Sequence, residues 1–313
     1  MLLPRVECDA DIDRLREDTE TCLAAIRAVA QQEGLPAAQA VFFREGSALV
    51  GSAGSAVIKI FAPFDHEHRA TEATVLADVA GRLSCPTPRP LGQGELEGWP
   101  YVVMSRLDGV LLSDVWSGLD PASRRRLCGD IGRVVADLHQ LAPPSLAELP
   151  LQWAGFLAAQ REGCVARQVS RGLADRWVVQ IEGFLDEVRL TDAPPRLLHT
   201  ELMREHFMVQ EAGGSFSLSG LFDFEPAMLG HPEYDFASIG VFISRGEPGL
   251  LGALLRAYGW GGRLEGDAGR ALQRRLMAYA LLHRYSNLAW YLRVLGSGDA
   301  QTLEALAARW WSF

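Results

Sequence analysis

One lysine stands among 29 arginines in this chain, and its position makes it the first candidate for chemistry. Lys59 lies in Ser55-Ala-Val-Ile-Lys-Ile-Phe61, a β-favouring run. Arginine serves wherever a positive charge alone is wanted, whereas a compact ammonium suits a crowded site that grips phosphate oxygens. Taken alone, the exception has two readings, a phosphate ligand or a lysine retained by chance on a strand. Its surroundings favour the first. Glu72, in Thr71-Glu-Ala-Thr-Val-Leu76, falls on the helix expected next, where its carboxylate would hold the ammonium by an ion pair. Gly46-Ser47, between the first two strands, would let backbone N–H groups approach phosphate oxygens closely. Tyr101 to Leu107, with Met104, Ser105 and Leu107, would line an adenine pocket and act as a hinge. Carboxylates on later loops, Glu201 and Asp223, complete the parts of a phosphoryl-transfer cleft.

These side chains need a small sheet and a helical scaffold. The spacing of Ile12, Leu15, Leu23, Ile26 and Val29 predicts an amphipathic helix over 10–32. Val41-Phe-Phe, Ala48-Leu-Val and Ala56 to Phe61 read as an antiparallel meander, with turns at Gly46-Ser47 and Gly51-Ser-Ala-Gly54. A helix over 66–82 and a strand through Tyr101-Val-Val-Met104 follow. Beyond Asp108-Gly109 helices dominate: 122–141, pieces between 151 and 188, one closing at Gly261-Gly262, and a long apolar one over 267–295. A hairpin-like stretch from Leu197 to Phe224 carries most of the acidic and histidine candidates. The expected architecture is α+β and bilobal, with a small antiparallel sheet in residues 1–106 and a larger helical part in 107–313.

The remaining composition excludes more than it assigns. A chain of 313 residues buries a real core without staples, and its five cysteines are unclustered, suggesting neither a disulfide framework nor a zinc site. No apolar run reaches membrane-spanning length, and the first residues lack a secretion signal, so a cytoplasmic protein is expected. A net charge of -9 argues against an extended nucleic-acid surface. Oligomeric state leaves no mark in the sequence.

The order Val57-Ile-Lys-Ile-Phe61, then Glu72-Ala-Thr-Val-Leu76, then Gly98-Trp-Pro-Tyr-Val-Val-Met-Ser-Arg-Leu-Asp-Gly109 resembles the aminoglycoside phosphotransferase and choline kinase family, within the protein-kinase-like fold. The wording around Lys59 and Met104 is most similar to the hygromycin B phosphotransferase branch. The likeness continues through Gly132-Arg-Val-Val-Ala-Asp-Leu-His139, Leu221-Phe-Asp-Phe-Glu225 and Gly230-His-Pro-Glu-Tyr-Asp-Phe-Ala237. It implies a kinase using ATP or GTP with magnesium, a preference that histidine at 206 would shift toward manganese, and a small-molecule hydroxylated acceptor. The insert at about 142–195 would bind that acceptor. By the same resemblance Asp223 binds metal, and Asp235 and His199 support the catalytic loop from behind.

The loop itself departs from the family pattern His-Gly-Asp-Leu-His-x-x-Asn, reading His199-Thr-Glu-Leu-Met-Arg-Glu-His206. Glu201 stands where the family has its catalytic aspartate, and His206 where it has a metal-binding asparagine. A slower or repositioned base and an altered metal preference are the expected results, since magnesium favours oxygen donors. Binding of nucleotide without turnover is a second reading of those changes. A transition-metal site made by His199, Glu201, His206 and Asp223 is a third.

Acceptor contacts are harder to place. A helix over 276–295 would set His283, Asn287 and Tyr291 one turn apart, beside Arg284, either as a seam between helices or as a wall facing acceptor. Trp153, Phe156 and Trp177 read mostly as core. Residues 142–195 carry seven acids against five arginines, a mildly negative balance for cationic antibiotics. A metabolite alcohol, or a Ser/Thr of a biosynthetic peptide, is an alternative acceptor.

Overall fold

The computed structural model describes residues 2–142 and 153–313, so part of the expected acceptor insert, 143–152, lies outside the described residues. The chain divides into two compact units: the first comprises residues up to Arg82, Pro86–Asp108 and Gly220–Ala227, and the second comprises Leu83–Cys85, Gly109–Ser219 and Met228–Phe313.

In the first unit the meander is present. Strands β1 (Val41–Phe43), β2 (Leu49–Ala53), β3 (Ala56–Ile60), β4 (Pro90–Leu96) and β5 (Trp99–Ser105) form an antiparallel sheet in the order β1-β2-β3-β5-β4. Strand β2 runs through Gly51, which the sequence placed in a turn, and the reversal is confined to Gly54-Ser55. Strand β4 has no predicted counterpart. Its glycines hide the β pattern for a steric reason, because a Cβ on Gly94 would stand 2.6 Å from the Tyr101 hydroxyl. That hydroxyl donates to Glu33 at 2.6 Å, so the small residue lets Tyr101 cross its neighbour.

The helix expected over 10–32 is two, α1 (Asp9–Glu17) and α2 (Thr19–Gln32). Asp18 breaks it by leaving helical geometry and accepting from the Thr21 N–H at 3.1 Å, a cap that competes with continuation. Ile26, Val29 and Ala30 of α2 join Leu49, Ile58, Ile60 and Val103 of the sheet in one buried core. Each large aliphatic chain so buried stabilises the unit by about 1.5–3 kcal/mol. Helix α3 (His66–Val79) buries Val75, Leu76 and Val79, and buries Glu72 with them.

The second unit is mostly helical. Strand β6 (Val110–Leu111) leads to α4 (Leu112–Trp116), α5 (Pro121–Gln140), α6 (Trp153–Glu162), α7 (Cys164–Ser170), α8 (Asp175–Val178) and α9 (Ile181–Glu187). Strands β7 (Arg196–Leu198), β8 (Phe207–Ala212), β9 (Ser215–Leu221) and β10 (Met228–Gly230) flank residues 199–206 and the stretch after them, with β10 pairing β7 and β8 lying between β6 and β9. Helices α10 (Glu233–Ile239), α11 (Leu250–Tyr258), α12 (Gly266–Leu282), α13 (Leu288–Leu295) and α14 (Leu303–Trp310) complete it. No helix among the described residues is long and apolar enough to cross a membrane.

Two helix ends differ from the sequence reading. Helix α11 stops at Gly259, whose φ of 102° only glycine adopts easily, before reaching Gly261-Gly262. The rod expected over 267–295 is broken between Leu282 and Leu288, where Asn287 caps α13 by accepting from the Trp290 N–H at 3.0 Å.

Helix α5 starts cleanly, with Asp120 accepting from Ala122 and Ser123 and with Pro121 in its first turn. Its buried stripe, Leu127, Ile131, Val134, Val135 and Leu138, leaves Gly132 where a Cβ would meet the Leu254 carbonyl oxygen of α11 at 2.2 Å. Helix propensity alone would make Gly132→Ala stabilising by about 1 kcal/mol. The clash with backbone outweighs it, and a net loss of about 1–3 kcal/mol is expected. A urea midpoint at or above that of the unmodified chain would contradict this packing.

Candidate functional site

In the first unit, the centre of the site is an ammonium among carboxylates. Pairing of β3 with β2 and β5 fixes Lys59 opposite Val50 and Val102, and its side chain is 8% exposed. Its Nζ lies 2.8 Å from Glu72 Oε2, 2.5 Å from Asp223 Oδ1 and 2.7 Å from Glu225 Oε2. Burial would push the amine's pKa down, but Asp223, Glu225 and Glu72 outweigh it and hold the group well above its ordinary value. Lys59 is therefore charged. Burial pushes the Glu72 carboxyl up, and Lys59 opposes that.

The residues around Lys59 are themselves anchored. Glu72 uses its second oxygen to accept from the Phe224 N–H at 3.2 Å, which ties α3 to the 220–227 stretch. Asp223 has a φ of 74°, a left-handed conformation that an aspartate tolerates better than most residues. Gly46 has a φ of 111°, which lets the turn between β1 and β2 close, and Ser47 Oγ donates to Glu225 Oε1 at 3.1 Å. The predicted glycine-bearing turn and the carboxylate cluster are thus one connected network. Oxygens of Glu72, Asp223 and Glu225 lie within 4.8 Å of one another, and together they exceed the one positive charge of Lys59 by two. Hard oxygen donors with surplus negative charge suit magnesium or manganese.

At the expected hinge, Met104 pairs with Val57 and is 5% exposed. The Ser105 N–H donates to the Arg89 carbonyl and its Oγ accepts from the Arg89 N–H, both at 2.9 Å. Leu107 packs on Gly220, where a Cβ would approach it to 2.5 Å.

The second unit builds the loop that contains Glu201. Asp235, fully buried on α10, accepts from the His199 N–H at 3.0 Å and the Thr200 N–H at 2.7 Å, and contacts His139 Nε2 at 3.0 Å. The other ring nitrogen of His139 meets the Tyr258 hydroxyl at 3.0 Å. His199 is fully buried, and its Nδ1 faces the Glu201 N–H at 3.4 Å. His206 Nδ1 lies 2.6 Å from the Glu201 carbonyl oxygen. A carbonyl can only accept, so Nδ1 carries the proton and the lone pair of neutral His206 sits on Nε2, the form a metal ligand needs. A His206 ring nitrogen and a Glu201 carboxylate oxygen lie within 4.8 Å. Arg204 donates from Nε to the Ile243 carbonyl at 2.9 Å and stacks its guanidinium 3.9 Å from the centre of the Trp116 ring.

Residues 36–272, more than half of the chain, match the family described as the phosphotransferase enzyme family. The chain belongs to that family. Over 208 residues this phosphotransferase-family chain is 29% identical to the viomycin phosphotransferase of Streptomyces vinaceus, a match covering 60% of this chain and 66% of that protein. It is 27% identical over 167 residues to a homoserine kinase of Cupriavidus pinatubonensis, covering 48% of this chain and 46% of the relative. The matched segment therefore spans just under two thirds of one relative and under half of the other. Among solved structures, the GDP complex of aminoglycoside 2'-phosphotransferase-IIIa superposes with a TM-score of 0.64 at 16% identity, covering 82% of this chain and 90% of that one. A macrolide 2'-phosphotransferase from Brachybacterium faecium gives 0.62 at 22% identity, covering 92% and 97%. These likenesses show the fold, which is kinase-like as expected from the sequence.

The candidates His283, Arg284, Asn287 and Tyr291 do not form a stripe on one helix of the phosphotransferase fold. His283 follows the end of α12, Asn287 caps α13, and Tyr291 is 3% exposed with its ring against Phe242 and Trp290. The Arg284 N–H donates to the Tyr234 hydroxyl at 3.0 Å. Phe156 and Trp177 are buried, and Trp153 stacks on Phe156. Sequence reasoning missed Glu225. In Leu221-Phe-Asp-Phe-Glu225 the resemblance assigns a role to the aspartate alone. The available signal was a second carboxylate two residues later, but nothing in the spacing turns it toward Lys59.

Proposed function

We propose that the chain transfers the γ-phosphoryl group of ATP or GTP to a hydroxyl of a small molecule. The observation that carries this reading is the buried Lys59 ammonium held by Glu72, Asp223 and Glu225. A permanently charged, immobile amine is suited to phosphate oxygens, because its orientation is already fixed before the ligand arrives. Glu72 holds it in place. Ser47 and the Gly46 turn supply donors to phosphate, and Met104, Ser105 and Leu107 line the side of the base. Asp223 and Glu225 would hold magnesium or manganese, and the ion would neutralise charge on the transferring group.

On the acceptor side, Glu201 takes the proton as the acceptor oxygen attacks phosphorus. The new bond is O–P, the bond to the β-phosphate oxygen breaks, and the nucleoside diphosphate leaves with that electron pair. Asp235 and His199 support the loop and contribute no proton. The relatives named for viomycin and homoserine, and solved phosphotransferases in complex with kanamycin, streptomycin and gentamicin, support a small polyfunctional acceptor such as an antibiotic or a metabolite.

A second reading, nucleotide binding without turnover, rests on glutamate at 201 and histidine at 206. One screen separates them: nucleotide consumption with magnesium or manganese across aminoglycosides, viomycin, homoserine and Ser/Thr peptides, with Asp223→Ala as control. Acceptor-dependent turnover that Asp223→Ala loses is expected. Nucleotide binding with no consumption on any acceptor would favour the second reading.

A further inference from the structure

We infer that His283 is a positioning residue: its ring N–H and the Asp235 carboxylate together hold Thr200 in the left-handed conformation that orients Glu201. This rests on the role proposed for Glu201. The sequence left His283 either in a seam between helices or on a wall facing acceptor; the ring is 4% exposed and reaches the catalytic loop from behind, with Nε2 2.8 Å from the Thr200 carbonyl oxygen.

Thr200 needs such a partner. Its φ is 71°, in a region where a β-branched side chain is disfavoured, and it is fully buried. The family pattern this loop resembles has glycine here, which adopts the conformation without strain. Threonine must be held there by its surroundings. Asp235 grips the peptide before Thr200 through the Thr200 N–H at 2.7 Å. His283 grips the next one through the carbonyl, and His199 Nδ1 faces the N–H of that same peptide at 3.4 Å. The plane joining Thr200 to Glu201 is thus held at both its polar atoms, and rotating it would swing the Glu201 side chain.

The His283 ring is suited to the task. The Thr200 carbonyl only accepts, so Nε2 carries the proton, and Nδ1 accepts from the Tyr285 N–H at 3.2 Å. Both nitrogens are used by a single neutral tautomer. The ring stacks on Tyr234, with centroids 4.7 Å apart and planes at 18°. Burial holds its pKa down to about 4, so the same tautomer persists at neutral pH. The break between α12 and α13 is what frees this side chain to point at the loop, and that break was invisible in the apolar pattern.

A double-mutant cycle on the full chain tests the inference, using phosphate release from ATP and magnesium with water as acceptor, and amide exchange across 199–202. His283→Phe keeps an aromatic ring for the stack on Tyr234 but removes the Nε2 donor to Thr200 together with the Nδ1 acceptor for the Tyr285 N–H. It is expected to lower turnover about 10- to 100-fold with little change in the KM for ATP, and to raise exchange across 199–202 at least tenfold. In the Thr200→Gly background the same substitution should cost at least fivefold less. An equal cost in both backgrounds, or unchanged turnover and exchange, would overturn the inference. Nitrogen-15 spectra of the unmodified protein decide even if the variant does not fold: a His283 ring protonated at Nδ1 contradicts it. Wild-type turnover in Glu201→Gln would remove the role of Glu201, while the exchange comparison would still report whether His283 holds Thr200.

Discussion

Replacing Lys59 by alanine is expected to abolish phosphoryl transfer, weaken triphosphate binding by at least ~30-fold, and destabilise the first unit by about 3–5 kcal/mol. The last effect follows from what the substitution leaves behind. Glu72, Asp223 and Glu225 would remain within 4.8 Å of one another without their cation. Each pair of charges at that spacing repels by roughly 3 kcal/mol at an effective dielectric constant near 20. The carboxyls would relieve this by taking up protons, which gives a distinctive pH dependence. Groups whose folded pKa lies above the unfolded value bind more protons when folded, so stability rises as pH falls. The deficit of Lys59→Ala should therefore be largest near pH 8 and shrink toward pH 5 in urea denaturation. In the unmodified chain the sign for Lys59 itself is fixed by its raised pKa: the stabilisation is complete below the unfolded value of about 10.4 and is lost as pH rises through the folded value. A deficit that does not vary with pH would show that the carboxylates are not confined together.

Glu201→Gln is expected to lower kcat by about 10²–10⁴ while leaving the KM for nucleotide within roughly threefold, the signature of losing a proton acceptor without losing a binding contact. Glutamine preserves the shape, and Asp235 and His199 would still hold the loop backbone. The comparison with Glu201→Asp, His206→Asn is informative for another reason. That pair recreates the family pattern but withdraws the carboxylate by one carbon–carbon bond, ~1.5 Å, and displacements of about 1 Å can cost ~100-fold. It also removes the imidazole whose Nδ1–H meets the Glu201 carbonyl at 2.6 Å. A loss of rate is expected, since this loop is built around the longer acid. A gain would mean that glutamate and histidine are drift.

The legible parts of the site were those whose neighbours are set by local periodicity. Lys59 and Glu72 could be paired because a strand and the helix after it have predictable spacing, and 2.8 Å now separates the charges. Asp235 and His199 could be placed behind the loop only through resemblance, and buried hydrogen bonds join them. Glu225 could not be read, because its approach to Lys59 depends on a left-handed Asp223 that no periodicity encodes. Helix breaks were the other loss. At Asp18 and at 283–287 the apolar spacing continues across the interruption, and a single capping side chain decides the geometry. Strand β4 was hidden because glycines that accommodate Tyr101 removed the alternation that marks strands.

Phosphoryl transfer by this chain requires the first unit's ammonium and carboxylates to act as a triphosphate and metal site. Calorimetric titration of ATP into the full chain, with and without magnesium, measures this most directly. Saturable one-to-one binding that magnesium strengthens, and that Lys59→Ala reduces at least ~30-fold, is the predicted result. Absence of heat with both ATP and GTP, or equal affinity in Lys59→Ala, would contradict it.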